Sequence, residues 1–144
     1  MAVDGPMTDD FAKDLRVDHI AIAVRSLTDA LESFATVWGL EPDRVETIES
    51  DGVVEAMLRV GNSHLQLLSA THADSTVGRF LERRGEGLHH ICIRVPDIEA
   101  AMARVAERGG ELIDQKPRIG GGGHRVAFVH PKSSSGVLIE LVER

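Results

Sequence analysis

The chain has 144 residues, 42% of them hydrophobic and 27% charged, which suits one soluble globular domain of ordinary size. A net charge of −7, no tyrosine and 3% aromatic content argue against nucleic acid, which wants basic faces and stacking platforms. No apolar run approaches the roughly 18 residues of a membrane span, and a single cysteine, Cys92, forms no intramolecular disulfide. A cytoplasmic protein acting on a small molecule or a protein surface is therefore expected.

Residues 1 to 14, "MAVDGPMTDDFAKD", lack the basic start and apolar stretch of a secretory signal and read as a flexible, acidic lead-in. The first predicted strand, "VDHIAIAV" at 17 to 24, returns as "LHHICIRV" at 88 to 95. His19 and His90 are 71 positions apart, and so are Ile20 and Ile91, Ile22 and Ile93, and Val24 and Val95. A helix follows each strand. Ser26 and Asp97 supply its N-cap, apolar residues recur at helical spacing (Leu27, Ala30, Leu31, Phe34; Ile98, Ala101, Met102, Val105), and Gly39 and Gly109 end it.

Three strands are predicted after the first helix, at 43 to 50, 53 to 60 and 63 to 69, and three after the second, near 111 to 114, 124 to 130 and 136 to 142. Between the halves, "STVGRFLERRGEG" reads as a connecting helix capped by Ser75 and closed by Gly85. The expected fold class is α+β. Two tandem βαβββ modules, about 15–70 and 87–143, curl a mixed sheet around a cleft within a single domain spanning 15–144.

Strand side chains alternate between faces, so parity separates the helix side from the cleft side. Ile20, Ile22 and Val24 fall on the helix side and His19, Ala21 and Ala23 on the other, while Ile91, Ile93 and Val95 oppose His90, Cys92 and Arg94. In the last strand of each half, Leu65 and Leu67 flank Gln66, and Ile139 and Leu141 flank Glu140. Each half thus offers the cleft an imidazole and an oxygen donor. His19, Gln66, His90 and Glu140 together suit one divalent metal with positions open to water or substrate. A lone inward histidine is more often a satisfied core residue; the recurrence of the same two roles in both halves favours the metal.

Glu55 in "DGVVEAMLRV" shares the cleft face with Val53, Met57 and Arg59. A carboxylate among apolar neighbours gains proton affinity and suits a general base, the alternative being a surface ion pair with Arg59. His64, His72, His89, His124 and His130 are not expected to be ligands; parity turns His89 away from the cleft. Lys132, Arg118 and Arg125 read as solvated charge more readily than as contacts to phosphates. "GGGGHR" at 120 to 125 lacks a P-loop lysine and a nucleotide-binding βαβ frame, and reads as a tight loop near the cleft.

From about Leu15 to Glu143, the repeat and the segments "VDHIAIAV", "DGVVEAMLRV", "LQLLSA", "ADSTVGRFLERRGEGLHHICIRV" and "KPRIGGGGHRVAFVHPKSSSGVLIELVE" resemble the vicinal oxygen chelate (glyoxalase/bleomycin resistance/dioxygenase) superfamily. Within it, "RGEGLHHI" and "HPKSSSGVLIEL" resemble the methylmalonyl-CoA epimerase family. The resemblance implies interconversion of 2R and 2S methylmalonyl-CoA. His19, Gln66, His90 and Glu140 would be the metal ligands, Glu55 one acid/base and Glu140 the other. It also implies a homodimer and favours cobalt or manganese over nickel, zinc or magnesium. The rivals are a glyoxalase-type enzyme with equivalent ligands and a non-catalytic small-molecule-binding protein of the same fold. An extradiol dioxygenase, which wants two histidines and one carboxylate around iron, is disfavoured by Gln66.

Overall fold

A computed structural model describes residues 10–144. The expected lead-in lies outside the described residues as far as position 9; its end is a helical turn, α1 (Asp10–Lys13). The chain then runs β1 (Arg16–Ala23), α2 (Leu27–Trp38), β2 (Pro42–Ile48), β3 (Val53–Val60), β4 (Ser63–Ala70) and α3 (Thr76–Arg84). It continues with β5 (Gly87–Val95), α4 (Ile98–Glu107), β6 (Arg118–Ile119), β7 (Arg125–Val129) and β8 (Ile139–Glu143). All eight strands form one curled mixed sheet in the order β2-β3-β4-β1-β5-β8-β7-β6. That order reads alike from both ends: β1 and β5 meet antiparallel at the centre, and each pairs in parallel with the last strand of its own half.

The helices start and stop where the sequence places their caps. Ser26, Ser75 and Asp97 accept from the backbone N–H three residues on, and Gly39 takes the left-handed conformation, φ 70°, that closes α2. One expectation fails. The strand near 111 to 114 is reduced to a single bridge, Leu112 to Val129, and the edge strand forms instead as the two-residue β6. Asp114 explains this locally, because its carboxylate accepts from the Phe128 N–H at 2.7 Å and takes the place of a ladder carbonyl.

α2 covers the outer face of the first half, where Leu27, Ala30, Leu31 and Phe34 pack on Val24, Ala56, Leu58 and Leu67. α4 does the same in the second half, with Ile98, Ala101 and Met102 against Val95, Ala127, Val129 and Leu141. The connecting helix α3 lies on the opposite face, its Val77 and Leu81 packed on Ala21, Ala23, Val53 and Leu68. The rest of that inner face lines a cavity of about 550 Å³. No helix among the described residues is long and apolar enough to cross a membrane.

Candidate metal centre and acid/base cleft

Five neighbouring strands bring the expected polar side chains to the cavity: Glu55 from β3, Gln66 from β4, His19 from β1, His90 from β5 and Glu140 from β8. Register explains how they reach one another. Gln66 and His90 both pair with Ala21, and His19 and Glu140 both pair with Cys92. Ala21 and Cys92 are fully buried and small, so the larger side chains on either side lean over them into shared space. Burial also pushes the Cys92 thiol pKa up, so it stays protonated and sits between the histidine and the carboxylate as an inert spacer.

His19, His90 and Glu140 present ligand atoms that all lie within 4.8 Å of one another. Glu140 Oε1 is 3.1 Å from His90 Nε2 and 3.2 Å from His19 Nε2. Despite that approach His19 Nε2 makes no hydrogen bond, and Gln66 Oε1 is likewise buried without a partner. Ionised Glu55 sets the Gln66 amide this way round, because Nε2 donates to Glu55 Oε2 at 2.7 Å and an ionised carboxylate only accepts. An orphaned buried polar atom costs about 1–3 kcal/mol, so two of them aimed into one cavity need a compensating partner. Two imidazoles, an amide oxygen and a carboxylate are the donor set a divalent cation would satisfy. The side chains fit such an ion.

Electrostatics divide the two carboxylates. Burial opposes ionisation of Glu140, yet the two imidazoles close beside it, His19 and His90, hold its pKa well below the usual range. Burial also disfavours charge on His19, but its hydrogen bond to Asp18 and the nearby Glu140 carboxylate raise its pKa to about 9. The cavity therefore attracts a positive charge, which a proton supplies when no metal does. Glu55 is the reverse case. Burial pushes its pKa above the ordinary 4.5, against the Gln66 hydrogen bond and the Arg44 charge. Its cationic neighbour is Arg44, at 3.4 Å, while Arg59 points to Asp43 at 3.6 Å. The expected alternative of a surface pair with Arg59 therefore fails: the Glu55 side chain is 4% exposed.

The glycine-rich loop closes over this carboxylate. Gly122 N–H donates to Glu46 at 2.9 Å, and a Cβ built on Gly121 would overlap Glu55 Oε1 and lie 2.9 Å from its Cδ. With Glu55 as the candidate base, Gly121→Ala is therefore expected to displace it or the loop, lowering kcat by about 10²-fold because misplacing a reacting group by about 1 Å costs that much. Metal content measured alongside should not change. Arg118, at the same end of the cavity, pairs with Asp51 at 2.9 Å and so ties the second half to the first. Arg125 pairs with Glu99 and Glu143, and Lys132 with Glu111, as solvated charges do.

Two side chains escaped the parity argument. His89, expected to face away, lines the cavity and lies with Nδ1 2.9 Å from His90 Nδ1. Asp18, given no role in the sequence, is buried with Oδ2 2.7 Å from His19 Nδ1. The cause is a pair of β-bulges in the β1/β5 ladder. Between Val17 and His19 the first strand carries an extra residue, and between Ala21 and Ile22 the partner does. A bulge breaks strict alternation, and a one-letter sequence does not mark where.

A cleft with two imidazoles and two oxygen donors drawn from both halves of a βαβββ repeat is a site that could chelate a metal. A family model for the Glyoxalase/Bleomycin resistance protein/Dioxygenase superfamily matches residues 18–128, and the chain belongs to that superfamily, grouping within it with the methylmalonyl-CoA epimerases. It is 35% identical to the ethylmalonyl-CoA/methylmalonyl-CoA epimerase of Cereibacter sphaeroides, across 88% of this chain and 96% of that one. It is 33% identical to the human mitochondrial methylmalonyl-CoA epimerase, across 88% and 72%. Among solved structures, Streptomyces coelicolor methylmalonyl-CoA epimerase with 2-nitronate-propionyl-CoA superimposes with a TM-score of 0.86 at 41% identity, covering 89% of this chain and 93% of that one.

Proposed function

We propose that this chain is a metal-dependent methylmalonyl-CoA epimerase, interconverting the 2R and 2S forms by removing and returning the C2 proton. The observation that carries the reading is the pairing, in one cavity, of a buried acid of raised pKa with two unpartnered ligand atoms beside an ionised carboxylate. The relatives named for this activity cover nearly the whole chain.

The C2 proton lies between a thioester and a carboxylate, so its removal leaves an enolate stabilised by both. His19, Gln66, His90 and Glu140 would hold the ion, which supplies Lewis-acid stabilisation of negative oxygen when bound. Glu55 then has the task of taking the proton. Its raised pKa brings it nearer to a carbon acid than an ordinary carboxylate, and Gln66 Nε2 and Arg44 fix its direction. Inversion requires delivery from the other face. The family resemblance gives that second role to Glu140, on β8 with three strands between it and Glu55 on β3; ionised at rest, it would have to take up a proton before returning one to C2. Phe128, whose ring stands edge-on to His90 at 5.4 Å, with Val126, Val142 and Leu68, gives the cavity apolar walls that keep water from the carbanion.

A glyoxalase-type lyase would use equivalent ligands, but the lactoylglutathione lyase GLX1 of Arabidopsis thaliana is 25% identical, less than the epimerases. Finer assignments rest on the family. They are cobalt or manganese as the ion, a cytoplasmic homodimer as the working form and a place in propionate metabolism. Proton NMR of methylmalonyl-CoA in heavy water tests the reading. The C2 signal should disappear through exchange with enzyme, and chelator should slow that loss until metal is restored. Loss of the signal no faster than without enzyme, from protein carrying stoichiometric metal, would overturn it.

A further inference from the structure

Each cavity histidine is preceded by a residue that strand alternation should turn away and that a bulge turns inward. The two are Asp18 and His89, themselves 71 positions apart, at the same place in the repeat. The bulges are reciprocal: β1 carries its extra residue at Asp18, and β5 at His89. Each residue meets the Nδ1 of the histidine that follows, Asp18 Oδ2 at 2.7 Å and His89 Nδ1 at 2.9 Å. We propose that Asp18 and His89 are paired positioning residues, which hold a proton on Nδ1 of His19 and His90 and so keep each Nε2 lone pair for the cation.

The need for such a device follows from Glu140. Its Oε1 is 3.1 Å from His90 Nε2, and a carboxylate there attracts an Nε2–H, the tautomer that has no lone pair to give. A second acceptor at Nδ1 shifts the balance. Asp18 is the stronger of the two and is itself fixed, with Arg94 Nη2 at 3.0 Å and Arg144 Nε at 3.1 Å from its Oδ1. His89 is a neutral acceptor. Two facing Nδ1 atoms share one proton, and with His90 ligating through Nε2 that proton belongs to His90 Nδ1, so His89 carries its own on Nε2. The Phe80 ring stands edge-on to His89 at 4.8 Å and, with the bulge, limits the ring's rotation. The halves are thus alike in geometry and unlike in charge: one imidazole is made more basic by a carboxylate and the other is only oriented.

This inference rests on the metal-centre reading, and the experiment separates the two. Titration of Mn2+ into the intact, metal-stripped chain should show one site; a parent that binds none would remove the metal centre and the inference with it. Given parental binding, His89→Leu and Asp18→Ala should each weaken Mn2+ by about 10–100-fold, the usual cost of losing a partner behind a ligand. His89→Asn, whose amide oxygen can accept the same proton, should recover most of the loss. In the Zn2+-loaded protein, NMR should show two slowly exchanging imidazole protons. His89→Leu should remove the one on His90, and Asp18→Ala the one on His19. Should Asp18→Ala fail to fold, the two His89 variants decide alone. Parental Mn2+ affinity in His89→Leu, or a His90 Nδ1 proton that survives it unchanged, would overturn the proposal.

Discussion

Replacing Glu55 by glutamine is expected to lower kcat for epimerisation by about 10²–10⁴-fold, the range that a positioned general base contributes. The substitution keeps size and shape, so the cavity should stay intact and metal content should match the parent. Gln66 Nε2 would still find an amide oxygen at the Glu55 position, 2.7 Å away in the parent. Steady-state turnover beside elemental analysis checks this, and parental turnover would move the base elsewhere. The parent should also show an acid limb in kcat/KM. As the proposed base, Glu55 would work in its ionised form, and burial raises its pKa, so activity should fall as pH drops through a value above 4.5. The sign matters: an ordinary exposed carboxylate would keep the enzyme active to lower pH.

His90→Ala is expected to have the largest effect on metal. The variant removes one of two imidazoles, and Glu140 Oε1 then keeps only the 3.2 Å approach of His19. Metal affinity should fall by more than the about 10–100-fold that loss of an outer partner costs, and epimerisation should fall with it. The fold should survive more readily than the site. His90 belongs to none of the apolar clusters, whereas truncating Leu58 or Leu67, both fully buried, should cost about 2–5 kcal/mol of stability. Isothermal titration with Mn2+ and a thermal melt of the metal-free protein separate the two effects. A variant that binds metal like the parent would remove His90 from the ligand set.

The sequence carries much of this because duplication writes the strand, the cap, the helix and the ligand pair twice, although Glu55 has no copy. The same strand, cap and helix at 17 to 38 and 88 to 107 set the topology, and parity alone turned His19, Gln66, His90, Glu140 and Glu55 toward the cavity. The illegible parts are those where backbone geometry departs from its period. No residue type announces the bulges at Asp18 and His89, so alternation misplaced His89 and passed over Asp18. The short edge strand moved because the Asp114 side chain substituted for backbone pairing. The closeness of Gly121 to Glu55 joins residues 66 positions apart through the curl of the sheet, which no local pattern encodes.

The antiparallel seam between β1 and β5 has one further consequence. Each half brings one imidazole and one side-chain oxygen to it, so neither half alone can hold an ion with more than two donors. A bound cation therefore acts as a rivet across the midline, and peeling either half away releases it. The melting temperature should climb with free metal concentration for as long as the ion prefers the assembled pair, making occupancy a reporter of whether the two halves are closed.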